Sequence, residues 1–313
     1  MTNAQLVPSS PGAVLKTASD SGLDVDASSL RRDDSGSDFV VYHCSDMSGQ
    51  NWILRFPRRV EVAERVPAER RLLDLVRDYI RIPVPDWRVA NEFLVAYPRL
   101  SGRLAAAEDP QTGLLTWAID QSNPPEAYID DLAATMAALH RVPTASVAAI
   151  GIPVRSPDDV KRSFADRLER GRHELKMHES WLDRGRRWLE CDAWWPQSTV
   201  LIHGDLHPGH TLVDDTGHIT GLLDWSDAEI GDPGTEFIEC SRKFPAGTVD
   251  RLTRAYERHG GHLWTGLREN VREGIAFAPL TLGLMGLDTA QQRYIDRGNA
   301  ALSVPTTIVA VDR

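Results

Sequence analysis

The stretch "HGDLHPGHTLVDDTGHITGLLDW", residues 203–225, places three histidines and an aspartate within its first eight residues and follows the apolar run "TVLI". Three chemistries compete for it. A surface turn would use the histidines and Asp205 for local hydrogen bonds. A metallohydrolase would take His203, Asp205, His207 and His210 as ligands, because imidazole and carboxylate suit zinc, iron or nickel. A phosphotransferase needs an acid that accepts a bond from the attacking hydroxyl and a metal-binding residue five positions later. It also needs a further aspartate at a strand end, to bridge metal and phosphate. Asp205, His210 and Asp224 stand at those three places, which favours the third chemistry.

Upstream, "DFVVYHC" (38–44) and "NWILRFP" (51–57) alternate apolar and polar positions around a turn-rich "SDMSGQ", the pattern of a β-hairpin. Residues 1–30 are a loose lead-in with room for one short helix. "VPAERRLLDLVRDYI" (66–80) has helical spacing with Pro67 near its start, and "EFLVAYPRLSG" (92–102) is a strand broken by Pro98 and Gly102. After residue 102 the pattern turns helical, at 126–142, in a charged pair over 159–196, at 248–260 and over the apolar 274–287. Short strands "TVLIH" and "TLVDD" bracket the 203–210 loop, "ITGLLDW" (219–225) follows "DDTG" as a third, and the helical lobe carries one inserted hairpin of strands. The expected fold class is α+β, with a small β-rich lobe carrying one main helix (1–98) and a larger, mostly helical lobe (99–313).

A chain of 313 residues with 42% hydrophobic and 26% charged content belongs to the ordinary globular class. Cys44, Cys191 and Cys240 are too scattered for a disulfide framework or a CxxC metal site. They fit a reducing cytoplasm, the expected location, since neither a signal-peptide pattern nor a membrane-length apolar run is present. A net charge of −10 argues against a nucleic-acid partner. Between Arg187 and Arg242 there is no Lys or Arg, while acids are frequent, which suits a site that attracts a divalent metal or an amine-bearing substrate.

The 203–225 stretch resembles the catalytic loop and metal-binding strand of the aminoglycoside phosphotransferase family, protein-kinase-like enzymes with the pattern HGDxxxxN followed by apolar-apolar-Asp. His210 stands where that family usually has Asn. This substitution, with "HPGH", "NWILRFPRR" and "DWSDAEIGDP", is similar to the branch that phosphorylates macrolide antibiotics on the 2′-hydroxyl of their amino sugar. The resemblance runs over nearly the whole chain after residue 25. It implies a two-lobed kinase-like fold, GTP or ATP as phosphoryl donor, Mg²⁺ as cofactor and a monomer with a small-molecule partner. A kinase for an aminoglycoside or another small hydroxylated metabolite is the alternative.

The same resemblance implies the roles. Asp205 is the catalytic residue and also meets substrate, and His210 and Asp224 hold metal. Arg55 takes the place of the lysine that grips the nucleotide phosphates, with Glu69 as its helix partner. Ser35, Gly36 and Ser37 occupy the phosphate-covering loop, and Tyr97, Pro98, Arg99 and Leu100 form the linker that meets the purine. His203 packs beneath the loop, and Asp232 ties the loop to the next helix. For the substrate wall, Asp227 or Glu229 meets the sugar's ammonium, and Phe277, Leu280, Leu284 and Met285 supply an apolar surface.

Overall fold

The computed structural model describes residues 6–306 apart from 110, 111 and 113. Its first part is an antiparallel sheet of β1 (Arg31–Asp33), β2 (Phe39–Ser45), β3 (Asn51–Pro57), β4 (Val89–Ala90) and β5 (Val95–Pro98), in spatial order β1-β2-β3-β5-β4. Alternation along the strands sorts their side chains into two layers. Val40, Tyr42, Cys44, Leu54, Phe56, Leu94 and Ala96 pack on one side, where α1 (Pro11–Asp20) covers them with Val14 and Ala18. Ser10 caps α1 by accepting from the Ala13 N–H, with Pro11 in the first turn, so the lead-in does hold its short helix.

The other face carries Phe39, Ile53, Val95 and Tyr97, and it shares a core with α2 (Val60–Val76) and with the second half of the chain. The sequence reading put Pro67 near the start of this helix. Instead α2 begins at Val60 and Pro67 lies inside it. A proline in a helix interior costs about 3 kcal/mol. Burial of Val62, Ala63 and Val66 opposes that cost and keeps the first two turns helical.

Between Pro98 and Arg103 the chain leaves this sheet. β6 (Arg103–Leu104) pairs with β10 (Thr211–Val213), which pairs with β11 (Ile219–Leu222). β7 (Ala106–Glu108) and β8 (Leu115–Trp117) form a separate ribbon, while β9 (Val200–Ile202) pairs with β12 (Glu229–Gly231). The inserted hairpin is thus β10–β11, while β9 and β10 belong to different sheets and the 203–210 loop bridges them.

Helices fill the rest: α3 (Glu126–Leu139), α4 (Thr144–Ala149), α5 (Pro157–Glu174), α6 (Glu179–Glu190), α7 (Pro233–Ser241), α8 (Thr248–Arg258), α9 (Leu267–Ala276), α10 (Ala278–Asp288) and α11 (Gln292–Leu302). The apolar run 274–287 is two helices rather than one, because Pro279 starts a new helix at α10. Residues of α3, α7, α8 and α9 join the core shared with the sheet. A second core belongs to α5, α6, α10 and α11, in which Phe164, Trp181, Trp188, Trp195, Phe277, Leu280 and Leu284 pack together. Among the described residues no helix is long and apolar enough to cross a membrane.

Candidate active site

The loop after β9 is held from below. Glu236, fully buried on α7, accepts from the backbone N–H of His203, with the N–H of Gly204 as a second donor. His203 donates from Nε2 to the Leu223 carbonyl at 3.0 Å and accepts from the Asp205 N–H at Nδ1, 3.4 Å. Its ring is therefore neutral, and burial pushes its pKa down to about 4. Leu206 is buried in the shared core, and its carbonyl accepts from the Cys240 thiol at 3.1 Å. Gly204 has φ +84°, and a Cβ there would stand 2.1 Å from the Asp227 carbonyl oxygen, so the motif requires glycine.

The sequence reading gave Asp232 the task of tying loop to helix. In the structure Asp232 instead caps its own helix, α7, accepting from the Gly234 N–H at 2.7 Å. The tie is made by Glu236, one turn further on. Sequence alone offered two acids in "GDPGTEF", and only the helix geometry shows which one points under the loop. Burial pushes the Glu236 carboxyl up to about 7.

Above this support the loop presents Asp205, with His207 Nε2 at 3.5 Å from Oδ1 and His210 Nδ1 at 3.4 Å from Oδ2. Burial raises the Asp205 carboxyl, but the imidazoles of His207 and His210 outweigh it and hold it well below the usual carboxylate range. Hydrogen bonds assign the two tautomers. His210 Nδ1 lies 2.9 Å from the Asp205 carbonyl, which can only accept, so Nδ1 carries the proton and Nε2 keeps its lone pair. His207 Nδ1 accepts from the Gly209 N–H at 2.9 Å, so in the neutral ring Nε2 carries the proton. Asp205, His207 and His210 are close enough to enclose a metal ion. Yet both ring nitrogens that face Asp205 bear protons, so these rings offer that position no lone pair, which counts against the metallohydrolase chemistry.

The His210 lone pair points elsewhere. Nε2 lies 3.9 Å from Asp224 Oδ2, and a histidine whose other N–H binds a backbone carbonyl has the usual form of a metal ligand. Asp224 has φ +57°, a left-handed conformation that aspartate tolerates better than most residues. Burial raises its carboxyl, but Arg55 and His210 outweigh burial and keep it ionised. The donor set, one imidazole lone pair beside one carboxylate, fits a divalent cation.

Arg55 reaches this point from β3, 4.0 Å from Asp224 and 3.7 Å from Glu69 on α2, with its guanidinium 4.0 Å above the Phe39 ring. Burial raises the Glu69 carboxyl and Arg55 pulls it part of the way back. Phe39 escaped the sequence reading, although its place at the start of an alternating strand was a signal for it. Ser35, Gly36 and Ser37 lie in the β1–β2 turn at the same end of the sheet, and Arg58 and Arg59 hold the Gly36 and Ser37 carbonyls. Tyr97 is buried on the sheet face that carries Arg55; beyond Pro98, the Arg99 N–H donates to the Asn51 carbonyl, and Leu100 packs on Gly221.

Asp205 opens onto a cavity of about 730 Å³ bounded by the β7–β8 ribbon, the end of α7 and helices α10 and α11. Of the residues assigned to the substrate wall, Asp227 and Met285 line this cavity. Glu229 does not: it pairs with Arg155 at 2.7 Å. Phe277, Leu280 and Leu284 are also absent from this wall, because they face the tryptophan core. Helix α10 instead presents Ala278, Thr281, Leu282 and Met285, and Glu239, one of the acids of the interval between Arg187 and Arg242, also lines this wall. Burial, together with Asp205 and Asp224, pushes the Asp227 carboxyl up to about 6.

Comparison with known proteins agrees with this geometry. Residues 29–271 match the family model of the phosphotransferase enzyme family. The chain belongs to that family. It is 34% identical over 291 residues to the uncharacterized protein YcbJ of Bacillus subtilis (strain 168), covering 93% of this chain and 95% of that protein. Among solved structures it is similar to the macrolide 2′-phosphotransferase MphH of Brachybacterium faecium, at 35% identity and a TM-score of 0.84, over 95% of this chain and 99% of that one. A type I macrolide 2′-phosphotransferase gives 32% identity and a TM-score of 0.86, over 94% and 97% of the two chains. The GDP and kanamycin complex of APH(2″)-IIIa shares the fold at 21% identity and a TM-score of 0.73, with 93% and 96% covered. The protein is a phosphotransferase with a kinase-like α+β fold.

Proposed function

We propose that this phosphotransferase moves the γ-phosphoryl group of GTP or ATP to the 2′-hydroxyl of a macrolide's amino sugar and thereby inactivates the antibiotic. The observation that carries the reading is the cavity at Asp205, large, apolar along Leu115, Pro279, Leu282 and Met285, with Asp227 and Glu239 as acids near the reacting carboxylate. A macrolide matches that division, since its ring is apolar and its amino sugar carries one ammonium. Arg242, paired with Glu239 at 2.7 Å, and Lys243 and Arg297 line the same cavity and offset most of its acids, which suits a single ammonium better than a polycationic aminoglycoside. Similarity to two macrolide 2′-phosphotransferases over nearly their full lengths supports the same substrate class.

In the proposed reaction Asp205 accepts the hydrogen bond of the 2′-hydroxyl and aims its oxygen at the γ-phosphorus. The new O–P bond forms as the bond to the departing nucleoside diphosphate breaks, and the hydroxyl proton passes to Asp205 late. Phosphoryl transfer asks chiefly for such positioning and for charge stabilisation, so the low basicity of Asp205 is no obstacle. Arg55 grips the phosphates from the sheet, with Glu69 and Phe39 fixing its guanidinium. His210 Nε2 and Asp224 would hold Mg²⁺, which when bound would supply charge neutralisation for the phosphate oxygens. Incubation with Mg²⁺, erythromycin or kanamycin, and either GTP or ATP tests the reading by mass spectrometry. Phosphorylated erythromycin is the expected product; kanamycin turnover alone, or no turnover with either nucleotide, would reject it.

A further inference from the structure

We infer that His207 is a positioning residue for the transfer step: its Nε2–H holds the Asp205 carboxylate in the orientation that faces the substrate cavity. The inference rests on the phosphotransfer reading above and concerns a residue to which the resemblance gives no role.

Elimination among the donors carries it. Among the described residues, the ring nitrogens meeting the Asp205 carboxylate belong to His207 and His210. The His210 Nδ1–H is committed to the Asp205 main-chain carbonyl at 2.9 Å. His207 is left as the donor to the side chain, and its own orientation is locked because Nδ1 accepts from the Gly209 N–H. The ring is further confined between the loop and the His210 imidazole, 4.2 Å away centre to centre. A Cβ on residue 209 would stand 2.6 Å from His207 Cε1, so the glycine of "HPGH" is what lets the imidazole sit there. The 3.5 Å separation between Nε2 and Oδ1 is long for a hydrogen bond, as such contacts often are before substrate closes the site. A carboxylate released from this donor rotates on an open loop, which lowers the rate of transfer without loosening either substrate.

Two isosteres separate the two ends of the ring. In His207→Asn the amide oxygen replaces Nδ1 and keeps the Gly209 bond but offers nothing to Asp205. In His207→Gln the amide nitrogen replaces Nε2 and restores that donor. We expect His207→Asn to lower kcat by about 10²-fold with KM for both substrates little changed. His207→Gln should recover about tenfold of the loss, and Gly209→Ala, by displacing the ring, should lower kcat in the same direction. An Asn variant as fast as the parent, or Asn and Gln variants equally slow, would overturn the assignment. Imidazole ¹⁵N NMR of the substrate-free protein supplies a readout that does not depend on the acceptor or on a variant folding. It should find His207 protonated at Nε2, with that signal moving in Asp205→Asn; protonation at Nδ1 would overturn the proposal. If the parent turns over no macrolide, the substrate reading fails while the NMR result still decides the role of His207.

Discussion

The two walls of the reaction centre are built differently. The 203–210 loop is tied to a core shared by both halves of the chain, through Glu236, His203, Leu206 and Cys240. The opposite wall, the cavity face of α10, belongs to a helical unit with its own tryptophan core, and it meets the loop across an open cavity. In the proposed reaction the chemistry sits on the side tied to the shared core, where a small displacement would be costly in rate, and substrate selection on the side whose surface can change without disturbing the loop.

This contrast can be broken by substitution, beginning with the largest effect. Asp205→Asn should lower kcat by about 10³-fold, while the melting temperature, read by calorimetry, stays close to the parent's, because Asp205 faces the cavity and supports no core. Equal loss of folding would mean that the loop is held by Asp205 rather than by Glu236. Asp224→Asn should lower kcat/KM by about 10²-fold and raise the Mg²⁺ concentration needed for half-maximal rate. An unchanged Mg²⁺ dependence would count against the His210–Asp224 pair as the metal site.

Two leucines on α10 test the other wall. Leu284 is 4% exposed and packed in the tryptophan core, so Leu284→Ala should cost about 2–5 kcal/mol in denaturant unfolding and leave KM for the macrolide nearly constant. Leu282 lines the cavity, so Leu282→Asp should raise that KM about tenfold with a small change in stability. Exchanged outcomes would mean that the helix presents its faces the other way round.

The smallest effect is a pH dependence. The Glu236 carboxyl is raised by burial from 4.5 to about 7, so the unfolded chain ionises first as pH rises. The stability that protonated Glu236 contributes is complete below about pH 4.5 and is lost as pH climbs through about 7. Glu236→Gln keeps an acceptor for the His203 N–H and removes that loss. The difference in melting temperature, variant minus parent, should therefore increase between pH 5 and 7 by a few degrees, about 2 kcal/mol. A difference that stays flat with pH would contradict the buried acid.

The two walls also differ in how legible they were. Asp205, His210 and Asp224 could be found because phosphotransfer fixes their order and spacing along one continuous stretch, and Arg55 because it sits on a strand with clear alternation. Glu236 was hidden because a single turn of helix decides whether it or Asp232 points beneath the loop. The cavity face of α10 was hidden for a different reason. "APLTLGLMGL" is apolar all round, so its pattern does not tell core from cavity, and Phe277, Leu280 and Leu284 turn inward while Ala278, Leu282 and Met285 turn out. The start of α2 at Val60 was missed because tertiary burial overrode the ordinary meaning of Pro67.

In the proposed reaction Asp205 directs one particular hydroxyl of a macrolide at a phosphoryl group. Heteronuclear ³¹P–¹H NMR of the product formed from erythromycin, Mg²⁺ and GTP or ATP tests it most directly. Phosphorus should couple to the proton at the 2′ position of the amino sugar, and Asp205→Asn should yield no such product. Phosphorus on any other hydroxyl, or product from the Asp205→Asn protein at the parental rate, would contradict it.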